Sequence, residues 1–316
     1  MARRSTSADH GALTRARRAP PFGALNWMDD RRCPDCPAGR ASGNGCPGIT
    51  LRMTNEAETQ DTRPRGCGRE PEAHERGDRI AGRTHIGHVR PNNEDGFVCG
   101  SSVVAVADGV GGHVAGDVAS GLALQPLAAL EQRLARGDWP EDPHRALVEA
   151  AEEANRRVSD EALRNPSYLG MGTTLTAGLL ADGRLYLAHV GDSRAYRWRA
   201  ADGLRQLTTD HTVVGEAVAA GHMSANEADT HPERSILTRV VGTESEIEVD
   251  KPDPADLSPG DRVLLCSDGL IEAINEAGIA RCLEADQPAD GLAEALIDAA
   301  LAGEAPDNVT VVVAAV

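Results

Sequence analysis

Four aspartates stand at the ends of apolar runs in this chain. Asp108 closes Val103-Val104-Ala105-Val106-Ala107 and precedes Gly109. Asp192 follows the run 185–190 in Val190-Gly191-Asp192-Ser193-Arg194, and Asp268 follows Val263-Leu264-Leu265-Cys266 in Ser267-Asp268-Gly269. Asp307 instead precedes the run 309–316. Three runs thus read as strands that deliver an Asp at the C-terminal end, while the fourth offers one at its start. If the last strand runs antiparallel to its neighbours, all four carboxylates meet at one edge of the core. Two carboxylates about 4 Å apart repel by about 4 kcal/mol at an effective dielectric near 20, so protons or cations must relieve them. An all-oxygen donor set suits Mg²⁺ or Mn²⁺ rather than zinc. One Asp-Gly alone would be read as a turn. Four acids in this placement, two with the same Asp-Gly ending, favour a site. Gly109 adds to it, because a residue without a side chain lets its carbonyl approach an ion.

The elements that must hold these acids are legible as patterns. The short Val- and Leu-rich runs read as buried strands. Helical spacing joins Val114, Val118, Leu122, Leu130 and Leu134, and again Leu147, Ala151, Ala154 and Val158. A third helix is expected over 292–301, with Asp290 placed to cap it. Farther along, Val213, Val214, Ala217 and Val218 suit a short helix ended by Gly221. Ser224-Ala225-Asn226-Glu227 has capping-box spacing for another, and His231-Pro232-Glu233-Arg234-Ser235 reads as an extended piece. No internal repeat is present. The Val110-Gly111-Gly112-His113 loop spells no dinucleotide fingerprint, and the chain has no Gly-Lys pair for a nucleotide-binding loop.

Composition bounds the rest. A chain of 316 residues that is 41% hydrophobic can bury a sizeable core, and with only 3% aromatics that core must be aliphatic. A formal charge of -17, with Lys251 the only lysine, argues against nucleic acid and anionic membrane as partners. No run approaches the roughly 18 apolar residues of a membrane span, and the Arg-rich start lacks the apolar stretch of a secretory signal. The cytoplasm is the expected setting.

The chain divides unequally. Residues 1–52 carry about +5 and the remainder about -22, and nothing up to residue 77 shows helical or strand periodicity. We expect an irregular, disordered N-terminal extension over 1–77 and one folded domain over 78–316. Cys33, Cys36, Cys46 and Cys67 lie in the extension. A zinc knuckle would need a second close pair, which is missing, with His74 the nearest substitute. Another reading is that 1–52 are a mis-assigned start and the natural chain begins at Met53. Cys99, Cys266 and Cys282 read as buried free thiols rather than a disulfide framework.

Six blocks then recur in order. Thr84-His85-Ile86-Gly87-His88-Val89-Arg90 leads into Asn92-Asn93-Glu94-Asp95. Val106-Ala107-Asp108-Gly109-Val110-Gly111-Gly112-His113 and Gly170-Met171-Gly172-Thr173-Thr174 follow. Gly191-Asp192-Ser193-Arg194, Ser267-Asp268-Gly269-Leu270 and Asp307-Asn308-Val309-Thr310 complete the set. Over about residues 80–316 this series resembles the metal-dependent, type 2C family of protein serine/threonine phosphatases in its compact bacterial form. Each block is weak alone; the series is specific.

The resemblance implies an α+β fold, a four-layer α-β-β-α sandwich of two antiparallel sheets flanked by helices. It implies a binuclear Mn²⁺ or Mg²⁺ centre with Asp108, the Gly109 carbonyl, Asp268 and Asp307 as ligands, and Glu94 and Asp95 ordering metal-bound water. Asp192 with Asp268 resembles the ligands of a weaker third ion. Two ions about 3.5–4 Å apart share a water, lower its pKa and present hydroxide to phosphorus. Arg90 resembles the family's phosphate-binding arginine, and His113 would protonate the departing serine or threonine oxygen. An ion pair alone for Arg90 and an idle solvated ring for His113 are the plainer readings. Residues 211–242 look like the mobile flap of bacterial members, with Thr230 and His231 on it and Thr230 near the third ion. A plain surface pair of helices is the alternative. The expected partners are phosphorylated proteins, above all a serine/threonine kinase and its targets, met by a monomer. A pseudophosphatase would have lost some of these acids, and none is lost. A regulator acting on anti-sigma antagonists would carry an upstream sensor domain, for which 77 irregular residues are too short.

Overall fold

In the computed structural model, residues 50–53, 79–110 and 115–316 are described. Their strands assemble because nearly every apolar run is covered on both faces. β1 (Thr50–Met53), β3 (Asp95–Cys99), β4 (Val103–Val110), β6 (Leu175–Ala181), β7 (Arg184–Val190) and β10 (Ala255–Asp256) lie side by side in that order, and β5 (Gly172–Thr173) pairs with the end of β4. The second sheet runs β2 (Ile80–His85), β12 (Val309–Ala315), β11 (Arg262–Cys266), β8 (Arg194–Arg199) and β9 (Gly203–Gln206). Every pairing is antiparallel.

Strand alternation sorts the side chains into three apolar layers. Val104 and Val106 of β4, Val263 and Leu265 of β11, and Val312 of β12 meet between the sheets, with Phe97 the single aromatic there. Val103, Ala105 and Ala107 turn the other way, onto α1 (Gly116–Ala135) and α2 (Pro143–Arg164). Leu264, Val311 and Val313 face the helices of the opposite side, α5 (Asp268–Ala273), α6 (Glu276–Glu284) and α7 (Ala289–Ala302). The four-layer α+β sandwich is therefore present. A flap-like excursion of α3 (Val213–Ala219) and α4 (Ala225–Asp229) leaves it between β9 and β10. No described helix is long and apolar enough to cross a membrane.

The expected helices form, with local corrections. Leu147, Ala151, Ala154 and Val158 are all buried on α2, and Asp142 caps it by accepting from the His144 and Arg145 amides. In α1, Leu130 and Leu134 are buried, while Val118 and Leu122 only flank the core. Asp290 does not cap α7. It sits inside the first turn after Pro288, and its carboxylate pairs with Arg83 instead. Ser224 and Glu227 make the reciprocal capping box at α4. Residues 231–235 are not extended but turn, with Arg234 N–H donating to the His231 carbonyl. In the segment read as irregular, Thr50–Met53 form a strand on β3, with Leu51 opposite Val98. The four cysteines of the extension and His74 lie outside the described residues.

Glu131 of α1 anchors the start of β4. Its carboxylate, 2% exposed, accepts from the amides of Ser101, Ser102 and Val103 and from the Ser101 hydroxyl, at 2.7–3.1 Å. Hydrogen bonds to a buried ionised acceptor are among the strong ones, and orphaning their donors is costly. Glu131→Ala should lower the unfolding free energy by about 3 kcal/mol in urea titrations. A loss below about 0.5 kcal/mol, the range of an ordinary surface substitution, would contradict this role.

Candidate functional site

The register of the sheets, more than any one loop, brings the acids to one rim. β3 pairs with β4 so that Asp95 sits directly opposite Asp108. β11 pairs antiparallel with β12, with Cys266 opposite Val311, so Asp268 just beyond one strand and Asp307 just before the other share an end of the sandwich. Asp192 joins from the β7–β8 turn. That turn needs Gly191, whose φ is +108° and where a Cβ would strike Thr174 Cγ2 at 2.6 Å. Gly109 is equally constrained, since a Cβ there would lie 2.3 Å from the Gly116 carbonyl oxygen.

Small polar side chains then lock the backbone. Thr174 Oγ1 accepts from the Asp108 amide at 3.0 Å, and the Thr173 hydroxyl donates to the Asp108 carbonyl at 2.8 Å. Thr174 and Ser193 hydroxyls bond each other at 2.7 Å, linking the Asp108 strand to the Asp192 turn. The Ser267 hydroxyl donates to Asp95 Oδ2 at 2.8 Å and accepts from the Thr310 amide. Asn308 accepts from the Glu94 amide and donates to the Ile86 and Asn92 carbonyls, which ties the 86–94 loop beside Asp307. Behind Asp192, His211 Nδ1 accepts from the Gly191 amide, and its Nε2 lies 3.0 Å from Asp250 Oδ2. Neighbouring His189 is buried against Thr176, and burial followed by the nearby His211 pulls its pKa down to about 3.

The electrostatics record the cost of this gathering. Burial pushes Asp108 well above the usual carboxylate range, and Asp95, Asp268 and Asp192 push it further. Burial likewise raises Asp268, followed by Asp192. Asp95 is raised to about 6, chiefly by burial, and Asp192 to about 6 by burial and Asp210. Glu94 is raised by burial and by Asp117. Asp108, Asp192 and Asp268 nonetheless keep part of their surface open. Asp268 Oδ1 and Asp95 Oδ1 are buried oxygens with no hydrogen-bond partner.

Asp307 stands apart, because Arg90 takes its Oδ2, and that hydrogen bond raises the Arg90 pKa. Among the described residues no three His, Cys, Asp or Glu side chains form a finished metal-binding group. Residues 111–114, with His113, lie outside the described residues. On the flap, the Thr230 hydroxyl reaches the Glu227 carbonyl at 3.5 Å, and His231 Nδ1 accepts from the Glu233 amide.

A groove of about 1120 Å³ leads from the rim. Asp192 and Asp268 line it, together with residues of α3 and α4 on the flap and of α5 and the start of α6. Arg194 crosses its base, forked onto Asp210 at 2.6–3.0 Å.

The protein phosphatase 2C family model matches residues 81–296. The chain belongs to the protein phosphatase 2C family. It is 43% identical over 237 residues to the serine/threonine protein phosphatase PstP of Mycobacterium tuberculosis, a match covering 75% of this chain and 44% of that protein. The chain therefore spans less than half the length of that relative. It is 36% identical to the serine/threonine phosphatase stp of Listeria innocua, over 72% of this chain and 92% of the other. The crystal structure of the M. tuberculosis phosphatase PstP/Ppp superposes with a TM-score of 0.68 at 40% identity, covering 75% of this chain and 98% of that one. The PstP catalytic domain in complex with two manganese ions gives 0.66 at 39% identity, covering 75% and 97%.

The donor chemistry of this rim fits hard divalent cations. The available atoms are all oxygen, they repel one another, and an orphaned Asp268 oxygen is among them. The acid locks of Thr173, Thr174, Ser193 and Ser267 carried no role in the sequence reading beyond their place in the motifs. Neither His211 nor Asp250 was singled out, since nothing local marks a buried His–Asp pair.

A carboxyl raised in the fold stabilises the protein below its ordinary value near 4 and withdraws that stability as pH rises through the raised value. With Asp95 and Asp192 raised to about 6, the metal-free protein is penalised most above that pH. Divalent cations should therefore raise Tm far more at pH 7.5 than at pH 5, by an amount equivalent to about 3 kcal/mol when the ion stands at roughly a hundred times its Kd. Differential scanning fluorimetry with and without MnCl₂ reads this; equal shifts at both pH values would contradict it.

Proposed function

We propose that this chain hydrolyses phosphoserine and phosphothreonine esters on proteins at a binuclear Mn²⁺ or Mg²⁺ centre, opposing a serine/threonine kinase. Asp108 and Asp268, both raised by burial and then by neighbouring carboxylates, with an unpartnered buried oxygen on Asp268, carry the reading. The two manganese ions of the PstP catalytic domain, a relative at 39% identity, support it. The functional domain in this reading is 78–316, with 1–77 as an extension from which Thr50–Met53 add an edge strand to its sheet. Asp108, the Gly109 carbonyl, Asp268 and Asp307 would hold the two principal ions, and Asp192 with Asp268 a weaker third. When bound, such ions act as Lewis acids on phosphoryl oxygens and make water a competent nucleophile at neutral pH.

The chain's own residues do the rest. Glu94 and Asp95 accept hydrogen bonds from water at the rim, and Ser267 keeps the Asp95 carboxylate aimed there. Arg90 exchanges Asp307 for the substrate: its exposed guanidinium presents two parallel N–H groups to two phosphoryl oxygens. That exchange also frees Asp307. His113 protonates the leaving serine or threonine oxygen, so that no alkoxide has to depart. Only a kinase produces such esters on proteins, so a kinase and its targets are the partners this chemistry requires.

Asp268→Asn should abolish phosphate release from a phosphothreonine peptide at every Mn²⁺ concentration tested. Arg90→Ala should raise KM by roughly 10- to 100-fold, the equivalent of a charge-assisted contact. Full turnover by the Asp268 variant, or an unchanged KM in the Arg90 variant, would contradict the respective role.

A further inference from the structure

The groove that opens from the rim carries a charge pattern that hydrolysis alone does not need. Glu272 of α5, Glu276 at the start of α6 and Glu304 ahead of β12 all line it. Glu276 and Glu304 are exposed and form no ion pair among the described residues. Of the two basic residues lining the groove, Arg194 is consumed by Asp210 in a fork. The other, Arg234, sits in the turn after α4 on the flap side, and its guanidinium lies 4.0 Å from Glu272. The wall therefore already takes a guanidinium, by a contact between two part-exposed groups that is weak enough to exchange.

We infer that the groove selects phosphoproteins carrying Arg or Lys beside the phosphorylated residue. The basic side chain lands on Glu272, Glu276 and Glu304 and displaces Arg234. This rests on the phosphatase reading of the rim, because it sets the phosphoester at Asp108 and Asp268 and runs the peptide out along the groove. Opposite charge across a groove of this kind acts on encounter and on register, and weakens with salt. A substrate with acidic flanks meets the same wall as a repulsion. Arg234 is the intramolecular stand-in: it neutralises Glu272 while the groove is free and competes with the substrate's own cation.

The test uses three phosphothreonine peptides of equal length, flanked by Arg, Ala or Glu, with p-nitrophenyl phosphate as a substrate too small to reach the walls. In the full chain with Mn²⁺, kcat/KM should fall in the order Arg, Ala, Glu, with the Arg peptide favoured roughly 5- to 10-fold over Ala at low salt. The Glu276→Gln/Glu304→Gln double variant should shrink that ratio to about twofold, and Arg234→Ala should enlarge it. Each variant's rate on p-nitrophenyl phosphate normalises its peptide rates for any change in folding or chemistry. Equal kcat/KM for the Arg and Ala peptides alongside Mn²⁺-dependent turnover of the small ester overturns the groove inference alone. So does a ratio that neither the double variant nor Arg234→Ala moves. Absence of Mn²⁺-dependent turnover of the small ester overturns the phosphatase reading and this inference with it.

Discussion

Repulsion among carboxylates at one rim of the sandwich is the constraint that organises this molecule. Asp95, Asp108, Asp192 and Asp268 are driven above the usual carboxylate range, first by burial and then by neighbouring carboxylates, and they come from four separate parts of the chain. Left to themselves they would push the rim apart. The backbone prevents this, because Asp95 and Asp108 are cross-strand partners and Asp268 follows a strand paired on both sides. The three apolar layers therefore do more than stabilise the fold: they hold charge where water would otherwise disperse it.

The polar groups around the rim follow from the same constraint. Thr173, Thr174 and Ser193 bind backbone and one another, so they fix positions without adding charge. Ser267 spends its proton on Asp95 and its lone pair on the Thr310 amide, which couples the two sheets at the rim. Arg90 is the one cation set directly on a candidate ligand among the described residues, and its position on Asp307 makes it both a counter-ion and a residue free to change partner. A rim built in this way holds its oxygen donors in place at little further cost in ordering.

The sandwich was legible in the sequence because its strands are covered on both faces and read as unbroken apolar runs. Val103–Val110 and Arg262–Cys266 emerge directly from that pattern, and Asp108 and Asp268 are found at their ends. α2 is legible from the helical spacing of Leu147, Ala151, Ala154 and Val158, all of which it buries. Asp290 misled because an acid one residue inside a helix looks like a cap, whereas Arg83 on a distant strand claims it. The turn at 231–235 is held by local backbone bonds that a Pro-containing stretch does not advertise. Thr50–Met53 pair with β3 without any periodicity of their own, because an edge strand borrows its order from its neighbour. The His211–Asp250 contact and the meeting of Arg234 with Glu272 are long-range, and no local spacing encodes them.

The central claim is that the rim exists to bind paired divalent cations through Asp108, Asp268 and Asp307. Crystals grown with MnCl₂ and measured at the manganese edge address it most directly. Two anomalous peaks should appear about 2.1 Å from oxygens of these three aspartates, with Asp307 released from Arg90. A rim without peaks at saturating Mn²⁺, or with Asp307 still bound to Arg90 and peaks elsewhere, would contradict it.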